Sequence, residues 1–297
     1  MDIKFTTDEY KKLKSSGQRL FSFSELSTIN ECPMQYYFQY IKKIRGRDNV
    51  YSFLGGIVHN LIEKFYLEQI TKEQMISTFI TEFNNCQYTF DKESIKNNYF
   101  NSVLDYLERL ILFKGIKFIQ EELVDFPLKN ISEEFSNFTF HGFIDLILYH
   151  KDGTLSIIDY KTSTKYTGED KLKKSFQLVL YAMALESKGH KIKHIAWDFI
   201  KSCKIEFTYK SSKKTKTIKR IELSQYFGYL DLKVSHDIVK IEFTEELKNK
   251  TLEWVMSSLE NIKKTKLMNE SDVVCKESTD YFCKSLCSFF YICKNNT

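Results

Sequence analysis

Three residues, Asp145, Asp159 and Lys161, carry the chemistry most readily read from this chain, within the stretch Phe140 to Ser163, FHGFIDLILYHKDGTLSIIDYKTS. Side chains two apart on a strand share a face, so Asp159 and Lys161 project together. A turn at Lys151-Asp152-Gly153 folds the first run back on the second and brings Asp145 within reach. Two carboxylates and an ammonium on one sheet face form a place to bind a hard divalent cation and hold a water against a phosphate. A charge inside an apolar strand is costly unless it is paired or metal-bound. The competing reading is a buried Asp–Lys ion pair with no chemistry.

Positioning such a site requires strands first. Phe138 to Tyr149 is rich in Phe, Ile and Leu with Asp145 as its only formal charge, and Leu155 to Lys161 is apolar until the acid. A helical segment over 22–117 precedes this strand-rich region, with apolar periodicity at Leu104, Leu107, Leu110 and Ile111. Residues 171–188 read as a helix and 191–202 as another strand. A basic hairpin follows, its tip lying between strands Lys204–Tyr209 and Thr217–Leu223. A helix over 244–266 and a cysteine-rich tail complete the chain. Strand, strand, strand, helix, strand describes an α/β core over 118–223 with a helical N-terminal elaboration and a C-terminal unit over 244–297, all in a single domain 1–297.

Composition narrows the class. At 297 residues, with 42% hydrophobic and 15% aromatic content, the chain can bury a sizeable core, and two prolines and ten glycines argue against a disordered protein. No apolar run approaches bilayer length and the N-terminus lacks a signal-peptide core, so the expectation is a soluble, cytoplasmic protein with no membrane partner. Net charge is +5, compatible with a nucleic-acid partner. Lysines and arginines concentrate at Lys42, Lys43, Arg45 and Arg47, at Lys171, Lys173 and Lys174, and from Lys210 to Arg220. Within the last cluster, Lys213, Lys214 and Lys216 are the expected DNA-backbone contacts. Abundant Lys, Asn and Ile suggest an AT-rich microbial or phage genome.

Gly142-Phe-Ile-Asp145 followed by Ile157-Ile-Asp159-Tyr160-Lys161 resembles the signature of the PD-(D/E)XK nuclease superfamily, and the spelling Asp-Tyr-Lys is closest to its RecB-like exonuclease branch. Gln177-Leu-Val-Leu-Tyr181 is similar to the branch's Gln-x-x-x-Tyr motif, and its spacing places both polar side chains on one helix face. Gly55-Gly-Ile-Val-His59 resembles the motif that supplies a metal-binding histidine. The resemblance spans about Ser22 to Cys293 and is weakest over 71–117. It implies a core of mixed sheet and flanking helices, with Asp145, Asp159, His59 and the Tyr160 carbonyl holding Mg²⁺ or Mn²⁺. Lys161 would orient the attacking water, and Gln177 and Tyr181 would hold Lys161 or the DNA strand.

Seven cysteines are unevenly placed. Cys86 and Cys203 stand alone as small apolar residues. Cys32 lies before Pro33, after a first helix for which Ser22 and Glu25 form a capping box, whereas Cys283, Cys287 and Cys293 crowd the tail. That layout resembles the iron–sulfur nucleases, among them AddB-type nuclease domains and the CRISPR-associated RecB-like exonucleases. It implies a structural 4Fe–4S cluster on Cys32, Cys283, Cys287 and Cys293. Three residues separate Cys283 from Cys287 where the family has two, and Cys275 competes with Cys32 as fourth ligand, which would make a local zinc site. The resemblance implies a metal-dependent DNA exonuclease acting on single strands or ends in recombination, repair or CRISPR-related processing. No helicase motif is present, so a helicase or recombination partner would supply unwinding. A non-cleaving DNA-end scaffold and a restriction-type endonuclease are the alternatives.

Overall fold

The computed structural model describes residues 8–112, 117–275 and 282–293. The helices and strands of the first third are α1 (Asp8–Ser15), β1 (Arg19–Phe21), α2 (Phe23–Glu31), α3 (Pro33–Tyr36), α4 (Val50–Tyr66), α5 (Lys72–Asn84) and α6 (Glu93–Arg109). Then come β2 (Phe118–Pro127), β3 (Phe138–Tyr149), β4 (Thr154–Lys161), α7 (Gly168–Ser187), β5 (Lys191–Tyr209), β6 (Ser212–Lys219) and β7 (Leu230–Ile241). α8 (Glu245–Lys266) and α9 (Phe290–Cys293) close the chain. Among the described residues no helix is long and apolar enough to cross a membrane.

The seven strands described form one mixed sheet flanked by helices, and β3 organises it. β2 runs antiparallel along one edge of β3, from Phe118 opposite Leu148 to Pro127 opposite Thr139. The other edge is divided. β4 pairs with Leu146–Tyr149, and β1 pairs in parallel with Phe138–Phe140. A strand has only two edges, so His141 to Asp145 face a gap on that side. β4 turns away from β3 and continues as the parallel partner of β5, up to Lys161 opposite Phe199. Helix α7 makes the crossover between β4 and β5, as parallel pairing demands.

Apolar alternation fixes which layer each strand residue faces. Leu155 and Ile157 of β4 pack with α2, α7 and α8, while Ile158 and Tyr160 pack with α4, α5 and α6. Asp159 and Lys161 therefore project toward α7. On β3 the alternation breaks: Ile144 joins the first core and Leu146 the second. The break faces Glu121 of β2, whose φ of 52° lies in the left-handed region and whose pairing is skipped between Gln120–Leu146 and Glu122–Ile144. Each fully buried Leu, Ile or Phe contributes roughly 1.5–3 kcal/mol, so the two cores hold this interrupted sheet in place.

Several expectations need correction. The basic hairpin turns tightly through Lys210 and Ser211, with φ of 45° and 64°, as a primed two-residue turn requires. Lys213, Lys214 and Lys216 stand exposed along β6 rather than at a loop tip. Arg220 leaves that basic cluster altogether: it is buried, donates to the Ile200 carbonyl at 2.8 Å and pairs with Asp105 at 2.6 Å. Ser22 caps α2 by accepting from the Glu25 N–H at 3.2 Å. The Glu25 carboxylate, however, turns to Arg19 and to the Tyr36 hydroxyl, so the reciprocal half of the capping box is replaced by tertiary contacts. β1 and β7 lie outside the strands that the sequence pattern predicts.

Candidate active site

The α7-facing side of β4 carries a chain of polar contacts. The Lys161 ammonium lies 2.6 Å from Asp159 Oδ2 and donates to Gln177 Oε1 at 3.2 Å. Gln177 Nε2 in turn donates to the Tyr181 hydroxyl at 3.0 Å. Gln177 and Tyr181 are one helical turn apart, which brings both over the sheet. The Tyr181 ring lies so close to β3 that a Cβ at Gly142 would sit 2.4 Å from one of its carbons. Glycine at 142 is what lets α7 approach.

The opposite layer contributes His59. Asn49 caps α4 by accepting from the Tyr51 and Ser52 amides at 2.9 Å, and Ser52 Oγ accepts the Asn49 N–H in return. This fixes the helix start and therefore the level of His59. Its Nδ1 lies 3.4 Å from Asp145 Oδ2. The same Asp145 oxygen accepts the Tyr160 N–H at 2.8 Å. Where β3 and β4 have parted, that amide has lost its ladder partner and the carboxylate replaces it. The N–H and C=O of an extended residue point to the same neighbour, so the Tyr160 carbonyl also faces the gap. His59, Asp145, Asp159, Tyr160, Lys161, Gln177 and Tyr181 are thus brought together, from two helical layers, across the break in the sheet.

Electrostatics record the crowding. Burial pushes the Asp159 carboxyl up, and neighbouring Asp145 adds to this against the pull of Lys161. Burial also opposes ionisation of Asp145, but His59 and Lys161 beside it and the Tyr160 amide hold its carboxyl below the usual range. Burial works against charge on His59 and Lys161 too, yet Asp145 for the first and Asp159 for the second leave both raised. The sequence reading missed Glu121, which burial, Asp145 and Glu63 together push up to about 7. Glu63, one turn after His59, is likewise raised by burial, with Asp145 contributing. Nothing in FIQEELVDF marks Glu121 as special. Only its left-handed backbone opposite Asp145 turns it toward this cluster.

Carboxylate oxygens, a main-chain carbonyl and one imidazole are a donor set suited to Mg²⁺ or Mn²⁺. Among the described residues no three His, Cys, Asp or Glu side chains are set as a ready metal shell. Here Lys161 pairs with Asp159, and His59 and the Tyr160 amide contact Asp145.

A second cluster lies apart from this gap. Cys32, Cys275, Cys283, Cys287 and Cys293 line one cavity of about 190 Å³. Cys275 Sγ is 4.0 Å from Cys32 Sγ and 3.8 Å from Cys293 Sγ, so both competing fourth ligands reach the same cavity. Burial, then neighbouring Cys32 and Cys293, push the Cys275 thiol up to about 12. The segment Phe282–Leu286 is a π turn, closed by Cys287 N–H to the Phe282 carbonyl at 2.8 Å. A π turn takes up one residue more than an α turn, and Cys283 lies within it. The tail is fastened to the loop after α3: Arg47 N–H donates to the Ser288 carbonyl at 3.1 Å, and a Cβ at Gly46 would meet Ser288 Cβ at 2.6 Å. Cys203 is fully buried and Cys86 half-buried, both outside this cavity.

Residues 20–294 match the family model of the PD-(D/E)XK nuclease superfamily. No curated protein matches the chain. One matching solved structure, described as "Crystal structure of SSO0001", is 11% identical, with 97% of this chain and 92% of that chain covered, and has a TM-score of 0.38. At that score the likeness carries nothing further.

Proposed function

The chain belongs to the PD-(D/E)XK nuclease superfamily, and from that membership we propose a metal-dependent deoxyribonuclease of the RecB-like iron–sulfur type, acting exonucleolytically on single strands or DNA ends. The observation that carries this reading is the convergence of Asp145, Asp159 and Lys161 in the gap between β3 and β4, with His59 3.4 Å from Asp145.

Asp145, Asp159, His59 and the Tyr160 carbonyl would hold Mg²⁺ or Mn²⁺. When bound, the ion lowers the pKa of a coordinated water and offsets charge on the phosphate. Lys161, beside Asp159, would use its ammonium to orient the attacking water and balance negative charge developing on the scissile phosphate. Gln177 accepts from that ammonium and donates to the Tyr181 hydroxyl, so the two residues hold the lysine over the sheet. Lys213, Lys214 and Lys216, exposed on β6, would meet the DNA backbone.

Four of the five cavity thiols would hold a structural 4Fe–4S cluster, with Cys32 joining the tail trio Cys283, Cys287 and Cys293. Joining Cys32 to the tail closes a loop of some 250 residues and so restricts the unfolded chain. Cys275, beside Cys293 and Cys32, supports zinc as the second reading for this cavity.

The test is anaerobic purification with iron, sulfide and zinc analysis, followed by digestion of end-labelled single strands with Mn²⁺ beside the Asp159→Ala variant. The expected result is iron with sulfide, and stepwise shortening by the parent alone. Undigested strands with either metal would favour a non-cleaving scaffold. Discrete fragments from a plasmid would favour a restriction-type enzyme. Full activity in Asp159→Ala would overturn the assignment.

A further inference from the structure

A cavity of about 670 Å³ begins where the strand carrying Asp159 and Lys161 ends. Ser163, Thr164 and Lys165, which directly follow β4 and Thr162, form one wall, and Lys201 of β5, Lys219 of β6 and Tyr99 of α6 form others. Tyr51 of α4 lines it too. Tyr51, Gly55 and His59 are spaced four apart and so lie on one helix face, placing the cavity about 12 Å along α4 from the candidate metal ligand. Between them, Gly55 faces Thr162, whose hydroxyl would be 3.3 Å from a Cβ at that position. Cavity and cleft are consecutive stations on one surface.

The lining combines three lysines, Lys165, Lys201 and Lys219, with one carboxylate, Glu222, and with Tyr51, Ile218 and Ile221. Lys165 is neutralised by Asp237 at 2.5 Å. Lys201 is different: its ammonium lies 5.8 Å from the centre of the Tyr99 ring, and burial is the only influence on it, lowering its pKa. A cation drawn out of water without a counter-charge is unfavourable until an anion arrives. Lys219 stands exposed at the same rim. Aromatic and aliphatic surface beside cations is how single-stranded nucleic acid is held, with bases stacked and phosphates neutralised. The volume falls within the usual range for small-ligand pockets.

We propose that this cavity receives an unpaired nucleotide of the DNA strand whose backbone lies at Asp145, Asp159 and Lys161, its base against Tyr51 and its phosphate on Lys201 and Lys219. The proposal rests on the nuclease reading and adds to it a reason for single-strand preference, since a paired base cannot enter a pocket.

The experiment measures binding without cleavage. The full chain in EDTA is titrated against fluorescein-labelled (dT)₁₂ and against a blunt hairpin duplex, over a series of salt concentrations. Lys201→Met, which keeps the stem and removes the charge, is expected to weaken (dT)₁₂ binding about tenfold, as loss of one charge-assisted contact would. It should also reduce the salt slope by about 0.7, the share of one phosphate on a single strand. Hairpin binding should not change. Lys219→Glu, at an exposed position, should act in the same direction and guards against a folding defect in the first variant. Unchanged (dT)₁₂ affinity and slope in both variants, or equal losses on hairpin and single strand, would overturn the proposal. A parent that binds (dT)₁₂ with this signature yet never cleaves with Mn²⁺ would refute the nuclease reading alone. A parent that cleaves while both variants bind normally would refute the cavity alone.

Discussion

Replacing Lys161 with methionine removes one half of a buried ion pair and should separate the lysine's structural role from its chemical one. The side chains of Lys161 and Asp159 are 19% and 5% exposed, and their charged atoms are 2.6 Å apart. Removing one partner of such a pair leaves an uncompensated charge and typically destabilises by about 3 kcal/mol or more. Asp159 has two ways to relieve this. It can take a proton, because burial already raises its carboxyl and the lost lysine was what lowered it. It can also bind a cation in place of the ammonium.

The sign of the pH dependence follows. A carboxyl with a folded pKa above its unfolded value keeps its proton longer in the folded state, so its ionisation withdraws stability as pH rises. The deficit of Lys161→Met against the parent should therefore be full, about 3 kcal/mol, at pH 8 and smaller at pH 5. Urea unfolding in EDTA at the two pH values measures it. Adding Mn²⁺ should stabilise the variant more than the parent, because the ion enters a carboxylate pair that no ammonium contests. Cleavage should nevertheless fall about 10²-fold or more. If the variant matches the parent at pH 8 in EDTA and gains no more from Mn²⁺, the ion pair is not what holds Asp159, even if activity is lost.

Glu121→Gln removes a carboxyl that burial and Asp145 push up to about 7. Ionising it withdraws stability as pH rises from its unfolded value of about 4.3 through its folded value, so in EDTA the variant should be the more stable form at pH 8 and keep only a small part of that advantage at pH 5. Urea midpoints at both pH values decide it, and equal midpoints throughout would place Glu121 in contact with water. Gly142→Ala would set a methyl 2.4 Å from the Tyr181 ring, and overpacking of this kind costs about 1–3 kcal/mol. Cleavage should drop with it as Tyr181 pulls Gln177 from Lys161. Adding Tyr181→Leu should restore stability but not cleavage, and a fully stable, fully active Gly142→Ala would show that Tyr181 can swing clear.

What the sequence disclosed were features written locally. Asp145 and Asp159 stand out because an acid in an apolar strand needs a partner, and Gln177 and Tyr181 because four residues are one helical turn. The expected α/β class is observed, with the mixed sheet between helical layers. What stayed hidden depends on non-local pairing. β1 is three residues with no period to read, and it forms only because β3 offers an edge. β7 is largely solvent-facing and is held by its pairing with β5. Arg220 looks like one more surface cation until Asp105 and the Ile200 carbonyl bury it. Glu121 is defined by a backbone angle, and Cys283 sits in a π turn. No count of residues reports either.

These hidden features explain how the site exists at all. α4 and α7 lie on opposite faces of the sheet, and a fully paired sheet would keep His59 and Gln177 on separate sides of it. Because β1 and β4 divide one edge of β3, a stretch ending at Asp145 is left open. The Tyr160 amide, stranded by the same divergence, must find an acceptor or remain an unsatisfied buried donor, a penalty of about 1–3 kcal/mol. Asp145 meets that need at 2.8 Å and in doing so is turned into the gap, where His59 reaches it from one layer and the Asp159–Lys161 pair from the other. The carboxylate is therefore positioned by the backbone fault it repairs, and the break in the sheet is the physical cause of the convergence.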